Sequence, residues 1–397
     1  MGGLGTVLEP LVVVSLLAGG TWWNRDRSLY PAYHKIRVAV SSSSRSGTPD
    51  SAEHLLGTYS DEVPTRRIRN VQFLGWKHEL STPNTQVHEH RLVSRVIKRY
   101  PFLAEVWYWA LIYWVSVALC GGRVHVMQKL IGELHPGAVR SDHRFPTAMM
   151  WINWLYSFIH IPGTIFFLIY LYWFCISRNR ITHLPEEFVG QIAQSHASPL
   201  IFEARRRTMA MCNLLAFIVF TLWPCMPPRL LSDPNVPGDE GELARSFGFV
   251  DTVHGKDGAS SVWTQNRFCN QYAAMPSLHF GYSLMIGLTI GSLLSRRPIV
   301  AAHCIFRSLV ACRLPSSRRA LCLAVGFTYP AMILLAIVST ANHFVLDAVA
   351  GACVCGESWL YGNGFLLNLL PLEDYFLSLI RVHKPQYPVV DLSDHQA

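Results

Sequence analysis

The sequence predicts an all-α integral membrane protein: a bundle of six transmembrane helices preceded by one further apolar segment at the N-terminus. Three observations predict it. Half of the 397 residues are hydrophobic and only 15% are charged, against about a quarter charged in an average soluble domain. Six apolar segments reach or approach the roughly 20 residues a helix needs to cross a bilayer. Basic residues also alternate in density from loop to loop between those segments, the pattern of the positive-inside bias.

The chain divides into an N-terminal apolar segment with a polar, partly disordered cytoplasmic region (1–100), a transmembrane domain (101–370) and a cytoplasmic tail (371–397). Residues 8–23, LEPLVVVSLLAGGTWW, are apolar but short, and Arg25 and Arg27 follow them. They read as a short span or an interfacial anchor, and the missing basic n-region argues against a cleaved signal peptide. The start MGGLGT also fits the myristoylation pattern. SSSSRSGTPDS at 41–51 reads as disordered tether.

The six spans fall near 103–121, 148–176, 208–226, 273–294, 321–341 and 344–368. The second is overlong and carries Ile161-Pro162-Gly163, which predicts a kink or a re-entrant start. Glu105, near the start of the first, reads as interfacial. Residues 299–312 are too short and Arg-interrupted to span, and read as lying on the membrane surface.

Lys and Arg number 13 over residues 24–102, 5 over 177–207, 6 over 295–320 and 2 in the tail, against 4 in each of 122–147 and 227–272. With six spans, 26 of the 34 fall on one side, which is then cytoplasmic. The formal charge of +8 therefore orients the chain and meets anionic lipid, rather than marking a nucleic-acid partner. The ten cysteines form no CxxC pair or Cys/His cluster of metal-ligand spacing, so no metal site is expected. Cys353 and Cys355 read as small buried hydrophobes. GxGxxG and Walker patterns are absent, which removes nucleotide-binding readings.

Polar residues inside apolar sequence carry the functional signal, because charge at bilayer depth is expensive. Arg229 leaves the third span in TLWPCMPPRLL, Ser277 and His279 lie at the mouth of the fourth in NQYAAMPSLHFGYS, and His343 and Asp347 open the sixth in STANHFVLDAVAG. The charge-derived topology puts all three segments on the lumenal face. His343 and Asp347 are four apart, so on a helix the carboxylate could hold one ring nitrogen and leave the other as a nucleophile. His279 could protonate a leaving oxygen, Arg229 could grip phosphate oxygens, and Ser277 at a helix N-terminus could complete an anion cradle. Plainer readings stand beside these: Arg229 as a snorkelling anchor, Ser277 as a helix cap, and His160 or His303 as structural residues. A proton-coupled transporter is the alternative of another class, but a relay would be spread across membrane depth. Cys225 and Cys269 flank the predicted lumenal loop and read either as a disulfide or as two unpaired thiols.

MPSLH (275–279) followed by HFVLD (343–347) resembles the second and third signature motifs of the type 2 phosphatidic acid phosphatase superfamily. AAMPSLH and TANHFVLDAVAG are most similar to the inositol phosphorylceramide synthase branch, and the resemblance covers roughly 150–360. It implies a six-helix bundle without cofactor or metal and a phosphohistidine on His343. Asp347 would orient that ring, His279 would be the acid, and Ser277 and Arg229 would bind phosphate. Phosphatidylinositol and ceramide, or another lipid phosphate, would be the partners, in a Golgi or endoplasmic-reticulum membrane. The chain departs from the family where a Lys seven residues before Arg-Pro is missing, and where Ser339-Thr340-Ala341-Asn342 replaces an Arg upstream of His343. Weaker positive charge favours a phosphodiester or pyrophosphate donor, with His254, Lys256 and Arg267 as candidate compensating groups. The resulting expectation is a lipid phosphotransferase, with a lipid phosphate or prenyl pyrophosphate phosphatase as the alternative.

Overall fold

The computed structural model describes residues 2–27, 64–73, 76–120, 151–152, 154–178, 199–223, 225–232, 239–246, 248, 273–292 and 316–385. The expectations for 41–51 and 299–312, and those on His254, Lys256, Arg267, Cys269 and His303, lie outside these residues.

The described residues are mostly helical. Helix α1 (Gly2–Trp23) is followed by a hairpin of β1 (Arg66–Phe73) and β2 (Trp76–Pro83), then α2 (Leu92–Arg99) and α3 (Phe102–Cys120). Further on come α4 (His160–Tyr172), α5 (Pro199–Leu222), α6 (Asp239–Ser246), α7 (Leu278–Ser292), α8 (Ser317–Ser339), α9 (Val345–Glu357), α10 (Asn363–Leu367) and α11 (Leu370–Leu379). Two helices among the described residues are long and apolar enough to cross a membrane: His160–Ser177, with mean hydropathy 1.5, and Ser317–Ser339, with mean hydropathy 2.3.

The element boundaries have local causes. α4 is flanked by π-helical turns at Leu155–Ile159 and Trp173–Ser177. Pro162 has no N–H and its ring crowds the carbonyl four residues back, and the wide turn just before it absorbs the misfit without breaking the helix. α5 begins nine residues earlier than the apolar pattern suggested, because Arg205, Arg206 and Arg207 are good helix formers with partners at hand. Arg206 bonds Glu105 at 2.7 Å and Arg207 bonds Glu203 at 2.8 Å. Glu105 is thus a buried ion-pair partner rather than an interfacial residue.

The core centres on Tyr172, which meets Phe102 edge-on at 5.1 Å and Phe202 edge-on at 5.0 Å, tying α3, α4 and α5 together. α7 packs against α8 and α9. A Cβ at Gly287 or Gly326 would fall within 3.0 Å of the other's carbonyl oxygen, so the two backbones approach as only glycines allow. α8 turns Leu321, Phe327 and Leu335 outward, at 65%, 76% and 60% exposure.

The N- and C-terminal parts form a joint polar module. β1 pairs antiparallel with β2 from Arg66↔Pro83 to Phe73↔Trp76, in the region that composition marked as partly disordered. Asp374 of α11 is 1% exposed and accepts hydrogen bonds from Arg67, Arg69 and Thr82. Glu373 accepts from Tyr108 at 2.6 Å and from Lys384 at 2.7 Å. Residues from 371 to 385 are therefore docked onto the hairpin and α3.

α1 joins the bundle along α4. Asn24 donates to the Ile169 carbonyl and accepts from the Ser177 hydroxyl at 2.7 Å, while Trp23 contacts Trp173. Its 22 residues span about 33 Å at 1.5 Å per residue.

Candidate active site

Three segments from distant parts of the sequence meet through backbone hydrogen bonds. Ala274 N donates to Cys225 O at 3.1 Å, next to a parallel bridge between Cys225 and Ala273. Arg229 N donates to Ala341 O at 2.9 Å, and Ser277 N donates to Asp347 O at 2.9 Å. The Arg229, Ser277/His279 and His343/Asp347 segments are thus linked in a closed triangle. The extended pairing of Ala273 and Ala274 also explains why α7 starts only at Leu278, five residues later than its apolar run. Of the two readings left open for Cys225, the free thiol is the one found: Cys225 is buried and unbridged, and backbone pairing joins the segments at this point.

A helix stop aims His343. α8 ends with Thr340 as its C-cap, and Ala341 has φ 53°. Asn342 N donates to Ile337 O at 3.1 Å and Ala341 N to Val338 O at 3.1 Å, the paired bonds of a Schellman stop. Glycine usually takes the left-handed position; alanine here carries strain of about 1 kcal/mol. The reversal turns the chain toward Ala274, where His343 Nδ1 donates to the carbonyl at 2.7 Å. With Nδ1 so occupied, Nε2 keeps its lone pair.

Asp347 takes a different position from the one its spacing suggested. α9 begins at Val345, so His343 precedes the helix and i,i+4 stacking does not apply to it. Asp347 sits in the first turn, where unpaired backbone N–H groups compete for its carboxylate. Its Oδ2 accepts from Phe344 N at 2.8 Å and stands 3.7 Å from His343 Nδ1. The ring is therefore oriented by a backbone carbonyl, and the carboxylate acts on it as a nearby negative charge. Both residues are buried.

Ser277 caps α7: its Oγ accepts from Phe280 N at 3.4 Å, and the side chain is fully buried. Arg229, in a 3-10 turn at Pro228–Ser232, is 6% exposed, which disfavours a snorkelling role. The His279 ring lies 5.9 Å from His343, between centroids, and is also flanked by Tyr156 at 4.5 Å and His160 at 5.1 Å. All five predicted residues thus belong to one cluster. Sequence reasoning missed the Ala274 carbonyl, which no side chain announces, and left His160 among the structural residues although it is an ionisable group in an apolar run. Among the described residues, no group of three or more His, Cys, Asp or Glu is placed to hold a metal ion.

Such a cluster can transfer phosphoryl groups: a histidine with a free lone pair, a second histidine as proton carrier, and an arginine and a helix N-terminus for the anion. Comparison with known proteins gives one family match. The family model of the PAP2 superfamily matches residues 192–315 and 301–361, the first stretch holding Arg229, Ser277 and His279 and the second His343 and Asp347. No curated protein and no solved structure matches the chain. Members of the superfamily are phosphatases and phosphotransferases. The match, carried by the stretches that hold the clustered residues, supports placing this chain in the type 2 phosphatidic acid phosphatase superfamily.

Proposed function

We propose that this chain is a membrane-embedded lipid phosphotransferase that works through a phosphohistidine on His343. The observation that carries the reading is the placement of His343, whose Nδ1 is held at 2.7 Å by the Ala274 carbonyl while its ring lies 5.9 Å from that of His279, between centroids. In the first step the Nε2 lone pair attacks phosphorus, forming a P–N bond as the P–O bond to the lipid alcohol breaks. His279 gives its proton to the departing oxygen. The phosphorylated imidazole gains positive charge, which Asp347 offsets from 3.7 Å. In the second step an acceptor hydroxyl attacks phosphorus, the P–N bond breaks, and the hydroxyl proton passes to His279, restoring both rings. Arg229, Ser277 and the first amides of α7 would hold the non-bridging oxygens.

Resemblance to the inositol phosphorylceramide synthase branch favours phosphatidylinositol as donor and ceramide as acceptor, in a Golgi or endoplasmic-reticulum membrane with the site on the lumenal side. Six spans fit this reading: α3, the helix around α4, α5, α7, α8, and α9 with α10. The outward apolar face of α8 suits lipid better than water. The second reading, hydrolysis of a lipid phosphate or prenyl pyrophosphate, uses the same residues with water as acceptor.

The experiment is a product assay of purified protein in vesicles containing phosphatidylinositol and ceramide, phosphatidic acid, or a prenyl pyrophosphate. The transferase reading expects ceramide carrying the inositol phosphate group, with diacylglycerol as co-product. Release of inorganic phosphate from phosphatidic acid or a prenyl pyrophosphate alone would replace it with the hydrolase. Proton flux without turnover of any of these lipids would replace both with the transporter.

A further inference from the structure

The geometry points to a positioning frame for His279, made by His160 and Tyr329 with Tyr156, that the signature motifs do not include; it rests on the reading of His279 as the proton carrier. A general acid must hold its N–H toward the leaving oxygen, and small misplacements cost rate steeply. His279 sits in the first turn of α7, and its contacts among the described residues are ring contacts rather than hydrogen bonds. Tyr156 stacks on one side with an interplanar angle of 27° at 4.5 Å. His160 approaches at 5.1 Å with its ring tilted by 36°. His343 is the third neighbour.

His160 is itself fixed from behind. Its Nδ1 shares a 2.9 Å hydrogen bond with the Tyr329 hydroxyl, and the two rings lie nearly parallel, at 19°. His160 is 3% exposed. If it were only filling space, an apolar side chain would do so without the penalty of burying an imidazole in a spanning helix. The wide π-helical turn at Leu155–Ile159 contains Tyr156 and closes on the His160 N–H, so the helix irregularity carries one of the residues that touch His279 and ends at the other. Such turns recur at functional sites. The frame thus runs from Tyr329 on α8 through His160 to His279, with Tyr156 closing another side.

The test is the rate at which diethyl pyrocarbonate modifies each histidine, read by peptide mass spectrometry on the full-length protein, with and without orthovanadate as a phosphate mimic. In the wild type, orthovanadate should slow modification of the peptides carrying His279 and His343. If it protects neither, the phosphate-site reading itself falls. With protection intact, Tyr329→Phe and His160→Ala should each speed modification of His279 about fivefold, the equivalent of one net hydrogen bond. His160→Gln, which can still meet the Tyr329 hydroxyl, should return the rate toward the wild-type value. His383, buried in the terminal module, should be unaffected, whereas general loosening would expose both. An unchanged His279 rate in Tyr329→Phe would overturn the frame; that variant loses one oxygen atom, so it carries the test even if His160→Ala does not fold.

Discussion

Gly351 lies one turn beyond Asp347 on α9, where the helix crosses the Ser277 backbone. A Cβ there would fall well inside 3.0 Å of the Ser277 carbonyl oxygen, 3.1 Å from its carbonyl carbon and 3.4 Å from its nitrogen. All three are backbone atoms, so no side chain can swing aside. Ordinary contact lies at 3.4–4 Å, so Gly351→Ala must move α9 away from the start of α7 by about 1 Å, a displacement that can cost on the order of 100-fold in turnover when it falls on reacting groups. The same shift stretches the 2.9 Å bond from Ser277 N to Asp347 O. Overpacking of this kind also destabilises by about 1–3 kcal/mol. The control is Gly356→Ala on the same helix, where an added Cβ meets nothing within 4 Å and helix propensity predicts a gain of about 0.5–1 kcal/mol. Lipid turnover and thermal unfolding of the two purified variants should therefore diverge. A Gly351→Ala protein with wild-type turnover and an unchanged midpoint would refute the close approach on which the site's geometry depends.

Three further expectations follow from the same contacts. Asp347→Asn keeps the shape beside Phe344 N but loses the charge near His343, so kcat should fall steeply while the fold survives; wild-type kcat would show that the charge is not used. In the terminal module, burial pushes the Glu373 carboxyl up, but Lys384, Tyr108 and Arg206 outweigh it and hold its pKa at about 2, below the ordinary 4.5. A depressed carboxyl stabilises the fold above its unfolded pKa, and the contribution is lost as pH falls toward the folded one. Glu373→Gln should therefore cost about 2 kcal/mol near neutral pH, with the gap to wild type closing between pH 4.5 and about 2; a gap that does not change with pH would contradict this. Single-cysteine labelling should reach positions in 227–272 and the first turn of α1 from the side opposite to positions in 295–320, since the C-terminal end of α1 lies beside Ser177. Labelling of 227–272 and 295–320 from one side would overturn the six-span count.

Much of this was legible in the sequence because charge in apolar surroundings is conspicuous. Arg229, His279, His343 and Asp347 stand out for that reason, and the alternation of basic loops suggested one shared face for them. The register of the site was not legible. Spacing of four between His343 and Asp347 suggested a helical pair, but whether His343 lies inside α9 depends on the stop at Ala341, where alanine does the work usual for glycine. The Ala274 carbonyl is invisible to any pattern of side chains. Gln72, Asp374 and Thr82 gave no periodic signal over their polar stretches, so the hairpin and its docking onto α11 emerged only from long-range bonds. His160 looked like any polar residue within a span until Tyr329, far along the chain, was seen to hold it.

Turnover through His343 requires that its ring become phosphorylated, and that intermediate can be trapped. Protein mixed with phosphatidylinositol labelled with ³²P, and separately with labelled phosphatidic acid, can be quenched in alkali within one turnover and digested for mapping. A base-stable, acid-labile label is expected on the peptide carrying His343, absent from His343→Ala and accumulating in His279→Ala only as slowly as an unprotonated leaving group allows. Product formed while label appears on another residue, or on none, would contradict a phosphohistidine on His343.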